Sequence, residues 1–252
     1  MVIDIVTVIV VVASLATAFL SSIFGMLGGL ILMGILVSLM KVGPAMILHG
    51  LIQMTSNGYR AWLNQKDINW KIVGTLSIGN ILALAILFFI AFEPDRITVL
   101  LALGLLPYIA WAMPSNFAFD VTKTPVGILA GILVVGTNLL AGVGGPILDI
   151  FFQRERVEMT SHQVVATKAV AQFLGHVSKV IFFGGLVASS SSENWPELWL
   201  LITVIGASLV GTTFGKKVLD KINDRTFFSW TQVIMLAVGA VLIVRAIYLI
   251  NL

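Results

Sequence analysis

The chain has 252 residues, 58% of them hydrophobic and only 11% charged, against about 45–50% apolar and about 25% charged in soluble domains. With a mean hydropathy of +1.04 and no long polar block, a soluble fold is excluded and one integral membrane domain over residues 1–252 is expected. The absence of cysteine removes disulfides, thiolate chemistry and cysteine-held metal centres. The histidines, His49, His162 and His176, are too far apart for a metal-ligand motif, so no metal and no cofactor are expected. A net charge of +3 does not point to nucleic acid, because Lys and Arg are scattered between apolar runs, where loop placement on the cytoplasmic side accounts for them.

In chain order, apolar runs occupy about 3–40, 44–64, 71–92, 97–113, 125–152, 161–187, 197–215 and 228–250. Charges and turn formers separate them, as at a membrane interface. The first run carries Ala16-Thr-Ala18, a small-residue pattern like a signal-peptide cleavage site, but Asp4 stands where a cationic n-region is needed. Residues 3–22 therefore read as a retained membrane helix. The first and fifth runs are longer than a single span of roughly 20 residues, and glycine interrupts both: Gly25-Met-Leu-Gly28-Gly29 and Gly142-Val-Gly144-Gly145-Pro146.

These two segments resemble each other. Gly28-Gly29 falls on Gly144-Gly145 at an offset of 116, and the helix after each aligns at an offset of 119. His49, Gln53, Asn57 and Arg60 then fall on Lys168, Gln172, His176 and Lys179. That spacing is one face of a helix. The pattern divides the chain into a first repeat at 1–113, a linker at 114–124 and a second repeat at 125–252. A duplicated fold with a broken segment in each half points to a transporter with its site near the midplane. Close helix packing is the plainer use of such glycines.

Loop charges suggest sidedness. The loops holding Lys66 and Lys217 are rich in Lys and Arg and read as cytoplasmic, while the loop from Ser189 to Glu197 has neither and reads as external. Both ends of 125–152 then lie inside, which makes this segment a bent hairpin with its tip at Ala141 to Gly145. Each half becomes one broken hairpin plus three transmembrane helices, an odd number of crossings, so the expected fold is all-α with inverted repeats. Eight simple spans in two parallel halves is the alternative.

Lys168, Gln172, His176, Gln53 and Asn57 are the expected substrate-binding side chains, with amides at Gly28, Gly29, Gly144 and Gly145 beside them. A lysine or histidine inside a membrane is costly and usually faces a cavity or a partner. Gln amides donate to oxyanions without titrating, while Lys or His supplies charge. Asp149 is expected either to pair with Lys168 or Lys179 as a structural lock or to carry a coupling proton. No catalytic constellation is found, and an enzyme is not expected.

The glycine breaks, the Gly43-Pro44-Ala45 helix start, Asp67-Ile-Asn-Trp70 and Ala166-Thr-Lys168-Ala, taken in order over nearly the whole chain, resemble the TauE/SafE sulfite exporter family. Where glycine is common in that family, Met26-Leu27 and Pro146 stand here. The resemblance implies a multi-pass permease of the bacterial cytoplasmic membrane carrying sulfite, a sulfonate or a related small anion. Its expected partners are that anion and membrane lipid, with a homo-oligomer left open. An anion channel or a carboxylate permease is the alternative function.

Overall fold

The computed structural model describes residues 4–24, 27–90, 93–113, 119–152, 159–186, 195–219 and 224–251. Gly25 and Met26, part of the 114–124 linker, the Arg154–Glu158 turn and most of the Ser189–Glu197 loop lie outside the described residues. Ten α-helices and no strand occur among the described residues: α1 (Ile5–Phe24), α2 (Leu27–Leu39), α3 (Val42–Leu63), α4 (Trp70–Ile90), α5 (Arg96–Ala112), α6 (Thr124–Ala141), α7 (Gly145–Phe151), α8 (Ser161–Ile181), α9 (Leu198–Leu219) and α10 (Asp224–Ile250).

Local chemistry sets the boundaries. α6 stops at Ala141 because Gly142 adopts φ of 80°, a left-handed conformation that glycine enters without steric cost. α7 restarts at Gly145 with Pro146 in its first turn, where a missing N–H leaves no bond unmade. Asp95 caps α5 by accepting from the Ile97 and Thr98 amides at 2.8 and 3.0 Å. The Thr98 hydroxyl, followed by these amides, holds the Asp95 carboxyl below its ordinary value. Thr160 and Gln163 form a reciprocal capping box at the start of α8.

The expected glycine breaks are real ends of helices. At 1.5 Å per residue the 13 residues of α2 reach about 20 Å and the 7 of α7 about 10 Å. Neither crosses a hydrocarbon layer roughly 30 Å thick. Five helices, α1, α4, α6, α9 and α10, hold apolar stretches long enough to cross it. Their outward faces are apolar and exposed, as at Val12, Ile81, Phe89, Leu133, Ile202 and Val244. A soluble protein would bury such surface; lipid accepts it. Hydroxyls on these helices bond back to their own turns, as Ser77 does to the Val73 carbonyl at 2.8 Å, so few polar atoms meet hydrocarbon unpaired. Trp62, Trp70 and Trp111 are exposed at helix ends, where an interfacial belt is expected.

The polar helices α3 and α8 occupy the middle. They pack on each other, while α1 packs on α9, α4 on α6 and α5 on α10. Backbones approach closely at small residues: a β-carbon on Gly79 of α4 would come within 2.0 Å of the Ile128 carbonyl oxygen of α6, and one on Gly131 within 2.2 Å of the Leu76 carbonyl oxygen. Gly79→Ala should therefore push α4 from α6 and cost about 1–3 kcal/mol, the usual range for overpacking. Gly74→Ala, on the same helix with nothing within 4 Å of the added carbon, should not destabilise. Thermal unfolding of the two variants in detergent measures the difference.

Candidate functional site

The stripes on α3 and α8 face each other, and the helices run in opposite directions: His49 meets Lys179, while Gly58, further along α3, meets Phe173, earlier on α8. Between them lies a small, partly open cavity lined by Gly29, His49, Gln53, Asn138, Gly144, Gly145, Gln172 and His176 together with Val134, Val143 and Gly175. It is thus built from both stripes and both glycine breaks. Gly29 stands in the first turn of α2 and Gly145 in that of α7, where amides have no acceptor within the helix.

Of the residues expected from sequence, Gln53, Gln172, His176, Gly29, Gly144 and Gly145 are brought together here. Gln53 is buried, and a β-carbon on Gly29 would lie 3.4 Å from its amide group. The Nδ1 atom of His176 and the Oδ1 atom of Asn138 are buried without a hydrogen-bond partner among the described residues, although Asn138 donates from Nδ2 to the Gly175 carbonyl at 2.8 Å. Unpartnered polar atoms are costly in an interior. At the wall of a cavity they are available to an occupant.

Three expected residues lie elsewhere, each for a physical reason. Gly28 packs against α1, where an added β-carbon would strike the Thr17 carbonyl oxygen at 1.9 Å. Asn57 is used within α3, donating to the Gln53 carbonyl at 2.9 Å and accepting from the Arg60 guanidinium. Arg60 also donates to the Ser21 carbonyl at 3.3 Å. Lys168 does not line the cavity, because its ammonium forms an ion pair with Asp149 of α7.

Of the two partners expected for Asp149, Lys168 is the one it meets. Lys179 does not pair with Asp149; it is fully buried, with Nζ 2.6 Å from His49 Nδ1 and 2.8 Å from the Gly142 carbonyl oxygen. His49 Nε2 lies 2.9 Å from the Gly29 carbonyl oxygen, so one chain of hydrogen bonds ties the two breaks together. His49 and Asn138 are the wall residues that the expected site omitted. The signal for His49 was its place at the head of the first stripe; Asn138 gave none beyond its nearness to the break, which reads equally as a cap.

Lys168→Met should leave the Asp149 carboxylate without its cation. The pair is partly exposed, 21% and 40% for the two side chains, so the cost should be about 1–2 kcal/mol, below the 3–5 kcal/mol of a fully buried pair. Lys168→Met with Asp149→Asn should recover most of it, as read by a double-mutant cycle of thermal stability.

The family model for the sulfite exporter TauE/SafE matches residues 10–242. No curated protein and no solved structure matches the chain. Because the family match runs from the first helix to the last, and the fold beneath it is a set of apolar, span-length helices around a polar centre, the chain belongs to the TauE/SafE family of sulfite exporters and is a membrane transporter rather than an enzyme.

Proposed function

We propose that this protein is a secondary transporter that carries a small sulfur oxyanion, sulfite or a sulfonate, across the bacterial cytoplasmic membrane by alternating access, with the cavity between α3 and α8 as its binding site. The observation that carries this reading is the composition of the cavity wall. It offers the amides of Gln53 and Gln172, the imidazole of His176 and main-chain N–H groups from two helix starts, with no carboxylate among the described residues that line it. The nearby acid, Asp149, is neutralised by Lys168. Such a wall favours an anion over a cation.

Alternating access is supported by the way the halves exchange partners. Taking α1–α5 and α6–α10 as equivalent sets, α1 packs on α9 as α6 packs on α4, and α3 meets α9 as α8 meets α4. α3 and α5 pair with their own counterparts, α8 and α10. A two-fold relation between repeats is the arrangement in which rocking one half against the other opens a fixed central site to either side.

Sidedness separates inverted from parallel halves. With 125–152 as a hairpin, the chain crosses an odd number of times between Asn64 and Glu197; with a simple span there, it crosses an even number. The native chain has no cysteine, so Asn64→Cys and Glu197→Cys give clean single labels. A membrane-impermeant maleimide on intact cells should label Glu197→Cys and not Asn64→Cys. Labelling of both from one side would rule out the inverted arrangement.

Transport itself is read with labelled sulfite in proteoliposomes. Trapped unlabelled sulfite should accelerate entry of the label, which a carrier shows and an open pore does not. Gln172→Leu keeps the volume and removes a hydrogen bond to a charged ligand, about 1.5–3 kcal/mol, so KM should rise roughly tenfold to hundredfold with thermal stability retained. An unchanged KM would take Gln172 out of the site.

A further inference from the structure

Lys179 buries an amine at the junction of the two halves, against the cavity wall. Among the described residues its Nζ has two hydrogen-bond partners, His49 Nδ1 at 2.6 Å and the Gly142 carbonyl oxygen at 2.8 Å, and His49 Nε2 in turn meets the Gly29 carbonyl oxygen at 2.9 Å. A carbonyl only accepts, so His49 carries a hydrogen on Nε2 and Lys179 donates one to Gly142. Between Nζ and Nδ1 two charge states fit the same geometry. A protonated pair has an ammonium donating to a neutral imidazole; a neutral pair has an amine that still donates one N–H to Nδ1 and one to Gly142. All three hydrogen bonds survive in both. The pair can therefore gain or lose a proton without moving a partner.

The charge of the protonated state finds no counter-ion in the protein among the described residues. From α3 the groups facing the pair are His49 itself and, further along, Arg60. From α8 they are His176, its ring centroid 5.4 Å from that of His49, and Lys168 about three turns away, which holds Asp149 of α7. From α2 and the α6–α7 turn come main-chain carbonyls, and after Lys179 the chain continues into buried Phe182 and Phe183. A buried cation among cations and carbonyls is unfavourable. His49, however, also lines the cavity, so an anion bound there is the nearest available negative charge.

We infer that the Lys179–His49 pair is the proton-coupling element of this transporter, taking up one proton as an anion enters the cavity and releasing it as the anion leaves, so that the two travel together. The inference rests on the cavity being the anion site, as proposed above. The proton comes from water on the side the anion enters, forms one N–H bond on the pair and returns to water on the other side; no other bond changes. Lys168 with Asp149 is unsuited to this part, because each already neutralises the other. By linkage, anion affinity rises as pH falls and levels off once the pair is protonated without the anion, a change on the order of 5–150-fold.

The test is isothermal titration of the purified full-length transporter in detergent with methanesulfonate, which has no proton to exchange in the working range, and with sulfite. Repeating each titration in buffers of different ionisation heat counts the protons taken up by the protein. The native protein should take up close to one proton per methanesulfonate. Lys179→Met should bind more weakly with no proton uptake and a flat pH profile, and Lys179→Arg, permanently charged, should bind with no uptake. His176→Gln should weaken binding but keep the proton. Methanesulfonate bound by the native protein without proton uptake, or uptake that survives in Lys179→Met or vanishes in His176→Gln, would overturn the coupling and leave the anion site standing. If neither anion binds the native protein, the anion site falls and the coupling falls with it. Should Lys179→Met fail to fold, the native proton count and Lys179→Arg decide the matter.

Discussion

A polar group inside hydrocarbon must find its partner within the protein, and the pairing of α3 with α8 is how this chain meets that requirement. Neither helix is among those apolar enough to cross a membrane on its own composition, yet α3 buries His49, Gln53, Ser56 and Asn57, and α8 buries Thr167, His176, Ser178 and Lys179. Such helices cannot face lipid. The remaining helices exist, in this sense, to surround them, with apolar side chains outward and close backbone contacts such as Gly79 with Gly131 drawing them inward. The same demand settles the glycine breaks, whose freed amides and carbonyls are tolerated because they lie in the interior beside the stripes.

Within the centre the polar groups divide into those already satisfied and those still available. Lys168 with Asp149, Arg60 with Asn57 and Ser21, and Ser178 with Asn80 at 2.6 Å are closed on themselves. His176 Nδ1 and Asn138 Oδ1 have no such partner among the described residues, and Gln172 lines the cavity beside them. Charge is thus placed at the two ends of the α3–α8 contact, and neutral hydrogen-bonding groups at its middle. In the proposed binding mode, an anion held by the Gln53 and Gln172 amides and the His176 imidazole meets no tight ion pair that would make its release slow.

Much of this was legible in the sequence, because it depends on spacing. Helix faces follow from the 3.6-residue period, so the stripe from His49 to Arg60 and its counterpart from Lys168 to Lys179 could be read directly, as could the breaks at Gly28-Gly29 and Gly144-Gly145. What spacing could not supply was the rotation and direction of the two helices against each other. An antiparallel crossing brings the head of one stripe to the tail of the other; that puts Lys179, not Lys168, beside His49 and leaves Lys168 to Asp149. Asn57 shows a related limit. Its position on the stripe is right, but Arg60, one turn on, engages its side-chain oxygen, a local competition that periodicity does not register.

The left-handed turn at Gly142 carries a consequence for how such a protein can diverge. The two acceptors that hold Lys179 and His49 in place are main-chain carbonyls, of Gly142 and Gly29. Main-chain atoms are not removed by substitution, whereas the cavity wall is set by side chains such as Gln172 and Asn138, each replaceable by a single base change or two. Selection can thus retune which anion is recognised through the wall while the charge-carrying dyad stays anchored to the backbone. In a lineage that exchanges one small oxyanion for another, wall residues such as Gln172 and Asn138 should turn over faster than Lys179 and His49, whose main-chain acceptors persist.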